Sequence, residues 1–167
     1  ILTVGRPGET RLVDWTEIDI AQKVWFVPNS DEELRKSDRE WMIPLCSEAI
    51  KILKNQEPQK KGLVFHNNGN PIPDNYISCI PDALGYDGVA HGFRSTFTTW
   101  EMELTDRQWS PDAVRLAMKH VDTDSTRAAY ARGQCYPERI RLITAWEEWL
   151  FKGELHDNII PIRRNAG

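Results

Sequence analysis

Two kinds of apolar pattern divide the chain. Val24-Trp25-Phe26-Val27 and Trp41-Met42-Ile43 are short β-prone runs, the second ending at Pro44, and the polar stretch 28–40 between them predicts the connection of an antiparallel hairpin. Elsewhere the spacing is helical. Residues 1–4 read as the last turn of a helix whose earlier part is absent. Pro7 then restarts the chain at a first-turn position, with Leu12, Val13 and Trp15 as the apolar face. Ser47 suits the N-cap of a helix over 47–55 that buries Ala49, Ile50 and Leu53, and residues 57–62 close it. Leu63-Val64-Phe65 is a strand candidate before the turn signal Asn67-Asn68-Gly69-Asn70. A helix over 73–84 follows, ended by Gly85, with Ile77, Ile80 and Leu84 inward and Tyr76 and Tyr86 as packing residues. Another opens at His91 and carries Phe93, Phe97 and Trp100 to the core. Ser110-Pro111 starts the next, with Val114, Leu116, Ala117 and Met118 apolar. A short helix at 126–132 displays Tyr130 before Gly133, and Pro137 begins a last one burying Ile140, Ile143, Trp146 and Leu150. The expected fold class is α+β, mainly α-helical, with a small antiparallel β-sheet packed on helices. It forms one domain over 1–152 and leaves a tail, 153–167, whose Ile159-Ile160-Pro161-Ile162 patch docks in cis or in trans.

Composition changes this picture in two places. A chain of 167 residues, 40% hydrophobic and 28% charged, holds one globular core rather than a disordered tract. No apolar run approaches the roughly 18 residues that span a bilayer, and no charged leader precedes a short apolar stretch. Cys46, Cys79 and Cys135 are odd in number and lack paired spacing, which suits a reducing cytosol, and no metal or other cofactor is implied. The net charge of −4 runs against gripping a nucleic acid by bulk charge alone. The start at Ile1 rather than at methionine suggests a fragment whose N-terminal domains supply further affinity.

The densest chemistry lies between His91 and Tyr130. His91 and Arg94 are three apart and share a helix face, so both can approach one phosphate. Met118-Lys119-His120 follows, then Ala128-Ala129-Tyr130-Ala131-Arg132. The order His-Gly-Phe-Arg, His, Tyr resembles the catalytic domain of the tyrosine recombinases (phage integrases), and its wording is most like the integrases of prophages and genomic islands. The resemblance extends upstream, where Arg6 and Glu9 match the first catalytic arginine and its supporting carboxylate. Lys36, rather than Arg35, stands at the family's distance before Pro44-Leu45, although Asp31, Glu32, Glu33, Asp38 and Glu40 also fit a solvated charged turn. Trp41 occupies a place where relatives often carry histidine, and Met118-Lys119-His120 replaces the usual Leu-Ala-His or Leu-Ser-His.

That resemblance implies a catalytic set of Arg6, Lys36, His91, Arg94, His120 and Tyr130, with Glu9 in support. A phosphodiester displaced by a tyrosine hydroxyl builds charge on its non-bridging oxygens, and two forked guanidiniums meet that charge without a metal. Tyr130, with an unperturbed pKa of about 10, needs nearby cations or a histidine to lose its proton. By the resemblance the partners are double-stranded DNA at attachment sites, a homotetramer formed on DNA from subunits monomeric when free, a host DNA-bending protein and an excisionase. The expected location is the bacterial cytoplasm, at the nucleoid. Two other readings stay open: type IB topoisomerase-like nicking and resealing, and a non-catalytic DNA-binding or assembly module derived from an integrase.

Overall fold

β2 (Val24–Val27) pairs antiparallel with β1 (Ile18–Asp19) on one edge and with β3 (Trp41–Pro44) on the other, giving the sheet order β1-β2-β3. Register sets Trp25 opposite Ile43 and Val27 opposite Trp41, and all four are buried. Alternate positions of both strands thus supply one inner face, while Phe26 between them is 46% exposed. This computed structural model describes residues 1–29, 40–56, 58–120 and 135–152. The expected hairpin strands are present. Its connection at 30–39, the short helix expected at 126–132 and the tail at 153–167 lie outside the described residues.

α1 (Pro7–Arg11) has Pro7 in its first turn, as expected, but its inward side chains are Glu9 and Arg11. The helix stops at Arg11, so Val13 and Trp15 enter the core from the chain beyond it. Arg11 donates from Nε to Asp74 Oδ1 and from Nη1 to the Ile72 carbonyl, both at 2.9 Å, tying α1 to the approach to α3 (Tyr76–Ala83). α2 (Ser47–Asn55) buries Ala49, Ile50 and Leu53 as expected. Its N-cap is Cys46 rather than Ser47, and the Glu48 amide donates to Glu147 Oε1 at 2.6 Å instead. The strand expected at 63–65 reduces to one bridge between Asp14 and Leu63. The turn signal beyond it is met by a hairpin of β4 (His66–Asn67) and β5 (Asn70–Pro71), in which Asn68 and Gly69 both take positive φ, 51° and 82°.

α3 departs most from its expected packing. Ile80 is 40% and Leu84 68% exposed, Tyr76 and Tyr86 are also exposed, and Pro81 is the buried residue of the helix. The inner side of α3 borders a small cavity of about 160 Å³ shared with Val4, Pro7 and Phe93, instead of a filled core.

α4 (Gly92–Thr99) runs on into a π turn at Trp100–Leu104, followed by α5 (Pro111–Ala117) and α6 (Tyr136–Lys152). The buried stripe of α4 passes through Arg94 and Phe97, so Phe93, one position round the helix, falls on the rim at 37% exposure. In α6 the stripe is Arg139, Leu142, Ile143 and Trp146, leaving Ile140 on the flank and exposed. Trp146 meets Phe97 edge-on at 5.3 Å, Trp100 at 5.1 Å and Trp149 in a stack at 5.1 Å. This aromatic cluster fixes α4 against α6. Arg139, fully buried, donates from Nη2 to the Met42 carbonyl at 2.6 Å and joins α6 to β3, while burial draws its pKa down to about 10. Among the described residues no helix is long and apolar enough to cross a membrane.

Candidate active site

Three chain segments meet around Arg94. α4 carries this arginine inward, 7% exposed, with its guanidinium between two backbone carbonyls. Nη1 donates to Val4 O, just ahead of α1, and Nη2 donates to Met118 O at the end of α5, at 2.6 Å. The same Nη2 lies 3.5 Å from His120 Nε2. Both carbonyls belong to tight turns: Val4 has φ 53°, and Lys119, directly after Met118, has φ 55°. The turn after α5 closes with the Lys119 amide donating to Leu116 O at 3.1 Å and the His120 amide to Arg115 O at 3.0 Å. That pair of bonds is a Schellman motif, whose left-handed position glycine fills most readily. Here it holds a lysine, at a conformational cost of about 1 kcal/mol.

The Lys119 side chain turns inward. It is 3% exposed, its Nζ is 2.8 Å from Glu9 Oε1, and it lies 5.7 Å from the centre of the Trp41 ring. Glu9, 5% exposed, shares that same oxygen with Arg6 Nη1 at 3.5 Å. The Arg6 side chain itself is 46% exposed. Glu9 therefore joins the start of α1 to the turn that presents His120.

Electrostatics follow this crowding. Burial, and next the nearby Arg6 guanidinium, lower the pKa of Arg94, with Glu9 opposing. Burial and then the charges of Arg94, Arg6 and Arg115 depress His120 below the usual histidine value of 6.5, so its imidazole is neutral at pH 7. Two cations and a neutral imidazole gathered at one place form an arrangement that an incoming anion relieves.

Of the residues expected in the site, Arg6, Glu9, Arg94 and His120 are brought together. His91 sits at the N-cap of α4, one turn before Arg94, with its side chain exposed. Lys36 and Tyr130 lie outside the described residues, 36 in the connection between β2 and β3 and 130 between α5 and α6. Lys119 was missed because a lysine beside a helix C-terminus reads as an exposed, dipole-compatible end. The signal available was its position directly after the apolar run ending at Met118. Among the described residues no group of three or more His, Cys, Asp or Glu is placed to hold a metal ion.

The architecture is that of the recombinase fold. The crystal structure of XerA recombinase matches it with a TM-score of 0.56, covering 82% of this chain and 54% of that one at 16% sequence identity. Residues 1–135 match the phage integrase family, and the chain belongs to that family. Putative protein IntB of Escherichia coli (strain K12) is 31% identical over 165 residues, covering 87% of this chain and 41% of that protein. The integrase of Enterobacteria phage P4 is 29% identical over 167 residues, covering 87% and 37%. Prophage integrase IntA of the same E. coli strain is 28% identical over 155 residues, covering 89% and 36%. The chain spans about two fifths of the length of these relatives.

Proposed function

We propose that this chain is the strand-breaking domain of a site-specific DNA recombinase that integrates or excises a mobile element. The observation that carries the reading is the convergence of Arg6, Arg94 and His120 from the start of α1, from α4 and from the turn after α5. In this reading a DNA phosphodiester enters between the two guanidiniums. The Tyr130 oxygen attacks phosphorus, the bond to the 5′ oxygen breaks, and the 3′ phosphate becomes an ester of tyrosine. Arg6 and Arg94 meet the charge that grows on the non-bridging oxygens, where preorganised cations act most strongly. His120, neutral beforehand, hydrogen-bonds one of those oxygens. Lys36 gives a proton to the departing 5′ oxygen, and His91 carries a proton or binds phosphate. The ester conserves the bond energy, so a 5′ hydroxyl from another strand reseals the DNA without ATP. Strand exchange uses four subunits on two duplexes, with a DNA-bending protein and an excisionase setting direction.

The test uses suicide DNA substrates, nicked near core sites, with the full-length protein and its Tyr130→Phe form. A covalent protein–3′-phosphate species on denaturing gels, absent with the Phe form, is the expected outcome. DNA binding without any adduct would replace this reading with a non-catalytic module.

A further inference from the structure

We infer that Lys119 is a positioning residue for Arg6, acting through Glu9 by holding that carboxylate's charge away from the arginine. The inference rests on the recombinase reading and concerns the same site. Two cations compete for one buried oxygen. Lys119 Nζ is 2.8 Å from Glu9 Oε1 and Arg6 Nη1 is 3.5 Å from it, so the lysine takes the short charge-assisted bond and the arginine the long one. Glu9 Oε2 is buried with no hydrogen-bond partner in the structure. The carboxylate thus has an open second oxygen, and a guanidinium is the group best shaped to fork onto both. Arg6 nevertheless keeps its side chain 46% exposed, available to a phosphate. What keeps it there is the lysine already satisfying Glu9.

Without Lys119, Arg6 is the cation already in contact with the buried carboxylate. Arg6 then swings onto Glu9 as a two-pronged pair and leaves the position in which it meets the phosphate. A neutral residue at position 9 removes that trap. The positioning role therefore predicts an inversion: the second substitution repairs the first. A merely structural role predicts instead that cleavage follows fold stability, since removing both partners of a buried ion pair also relieves the unpaired charge. Any recovered cleavage is then matched by recovered thermal stability and disappears at temperatures where both variants are folded.

The experiment measures single-turnover cleavage of the suicide substrate, DNA affinity and thermal unfolding for the full-length protein and for its Lys119→Met and Glu9→Gln/Lys119→Met forms. Lys119→Met is expected to slow cleavage roughly 100-fold, the scale of an ångström-level misplacement, with affinity changed by less than about threefold. The double variant is expected to cleave at least about tenfold faster than Lys119→Met, because no buried charge is left to capture Arg6. Wild-type cleavage by Lys119→Met, a double variant no faster than the single one, or a gain accounted for by higher thermal stability alone, overturns the inference while the wild-type adduct leaves the recombinase reading standing. If Lys119→Met does not fold, a double variant that cleaves within about tenfold of wild type supports the inference and a slower one overturns it. No adduct from the wild-type protein itself overturns both.

Discussion

Arg6 and Arg94 do different physical work although both belong to the same cationic centre. Arg94 is buried and its two terminal nitrogens satisfy the carbonyls of Val4 and Met118, so it holds two chain segments as well as carrying charge. Arg94→Lys supplies one nitrogen where two are used and is expected to cost about 1–3 kcal/mol of stability for the carbonyl left unmet, in addition to lost cleavage. Arg6→Lys changes a half-exposed group and is expected to leave stability within about 1 kcal/mol of wild type while slowing cleavage as severely. Urea unfolding beside suicide-substrate cleavage separates the two; equal stability losses would contradict this division. His120 adds a pH signature. Its folded pKa lies below the unfolded value near 6.5, so the unfolded chain takes up the proton first as pH falls. The stability linked to this group is complete above pH 6.5 and is lost as pH drops through the lowered value. His120→Gln is therefore expected to show a shallower loss of stability between pH 7 and pH 5 than wild type, measured by urea midpoints; parallel curves would refute it.

At the scale of elements, local signals were legible and facing was less so. Pro7 and Ser110-Pro111 mark helix starts because proline fixes a helical φ and serine caps an open amide, and both starts lie where those residues stand. Val24–Val27 and Trp41–Pro44 were legible as a strand pair because two β-prone runs flank a polar connection, whereas the register that buries Trp25, Val27, Trp41 and Ile43 together was not, since both runs are apolar at every position. Along α4 and the turn after it, Phe97 and Trp100 face inward as expected, and only Phe93 was misplaced, because a charged Arg94 occupies the stripe that apolar counting gave to it. α3 was misjudged because periodicity reports an apolar side but not whether another element covers it. Glu138 was also out of reach of local rules, since it acts across sequence: its Oε1 accepts from the Ser110 amide at 2.7 Å and its Oε2 from the Ser110 hydroxyl at 2.8 Å. That hydroxyl oxygen in turn accepts from the Ala113 amide at 3.2 Å. Ser110→Ala breaks the cap of α5 and part of its tie to α6, and an unfolding free energy lower by about 1–2 kcal/mol is expected from urea titration. A loss under half of that would mean that the Glu138 contact to the amide alone holds the helix start.

For the whole molecule, charge is the property that sequence and site pull in opposite directions. The chain carries 21 Lys and Arg against 25 Asp and Glu, and residues 62–93 contain Asp74, Asp82 and Asp87 but no Lys or Arg. This stretch brings no cation of its own to a phosphate backbone, and the Arg11 that reaches it is paired with Asp74. The cationic centre itself is small, and part of its charge is neutralised internally, since Glu9 is paired with Lys119. In the recombinase reading, the affinity that the described residues supply is expected from a few phosphates close to Arg6 and Arg94. Each phosphate neutralised on duplex DNA contributes about −0.9 to the slope of log affinity against log salt, so the isolated 167-residue chain is expected to bind with a slope no steeper than about −3. A longer chain carrying the segments that these relatives have beyond the part matched here is expected to bind more tightly and with a steeper slope. Fluorescence anisotropy of a labelled core-site duplex across a salt series measures both. Equal slopes for the two would place the DNA-gripping charge within this chain, most directly in the segment carrying Arg35 and Lys36, and Lys36→Ala in the isolated chain would then flatten its slope by about one phosphate.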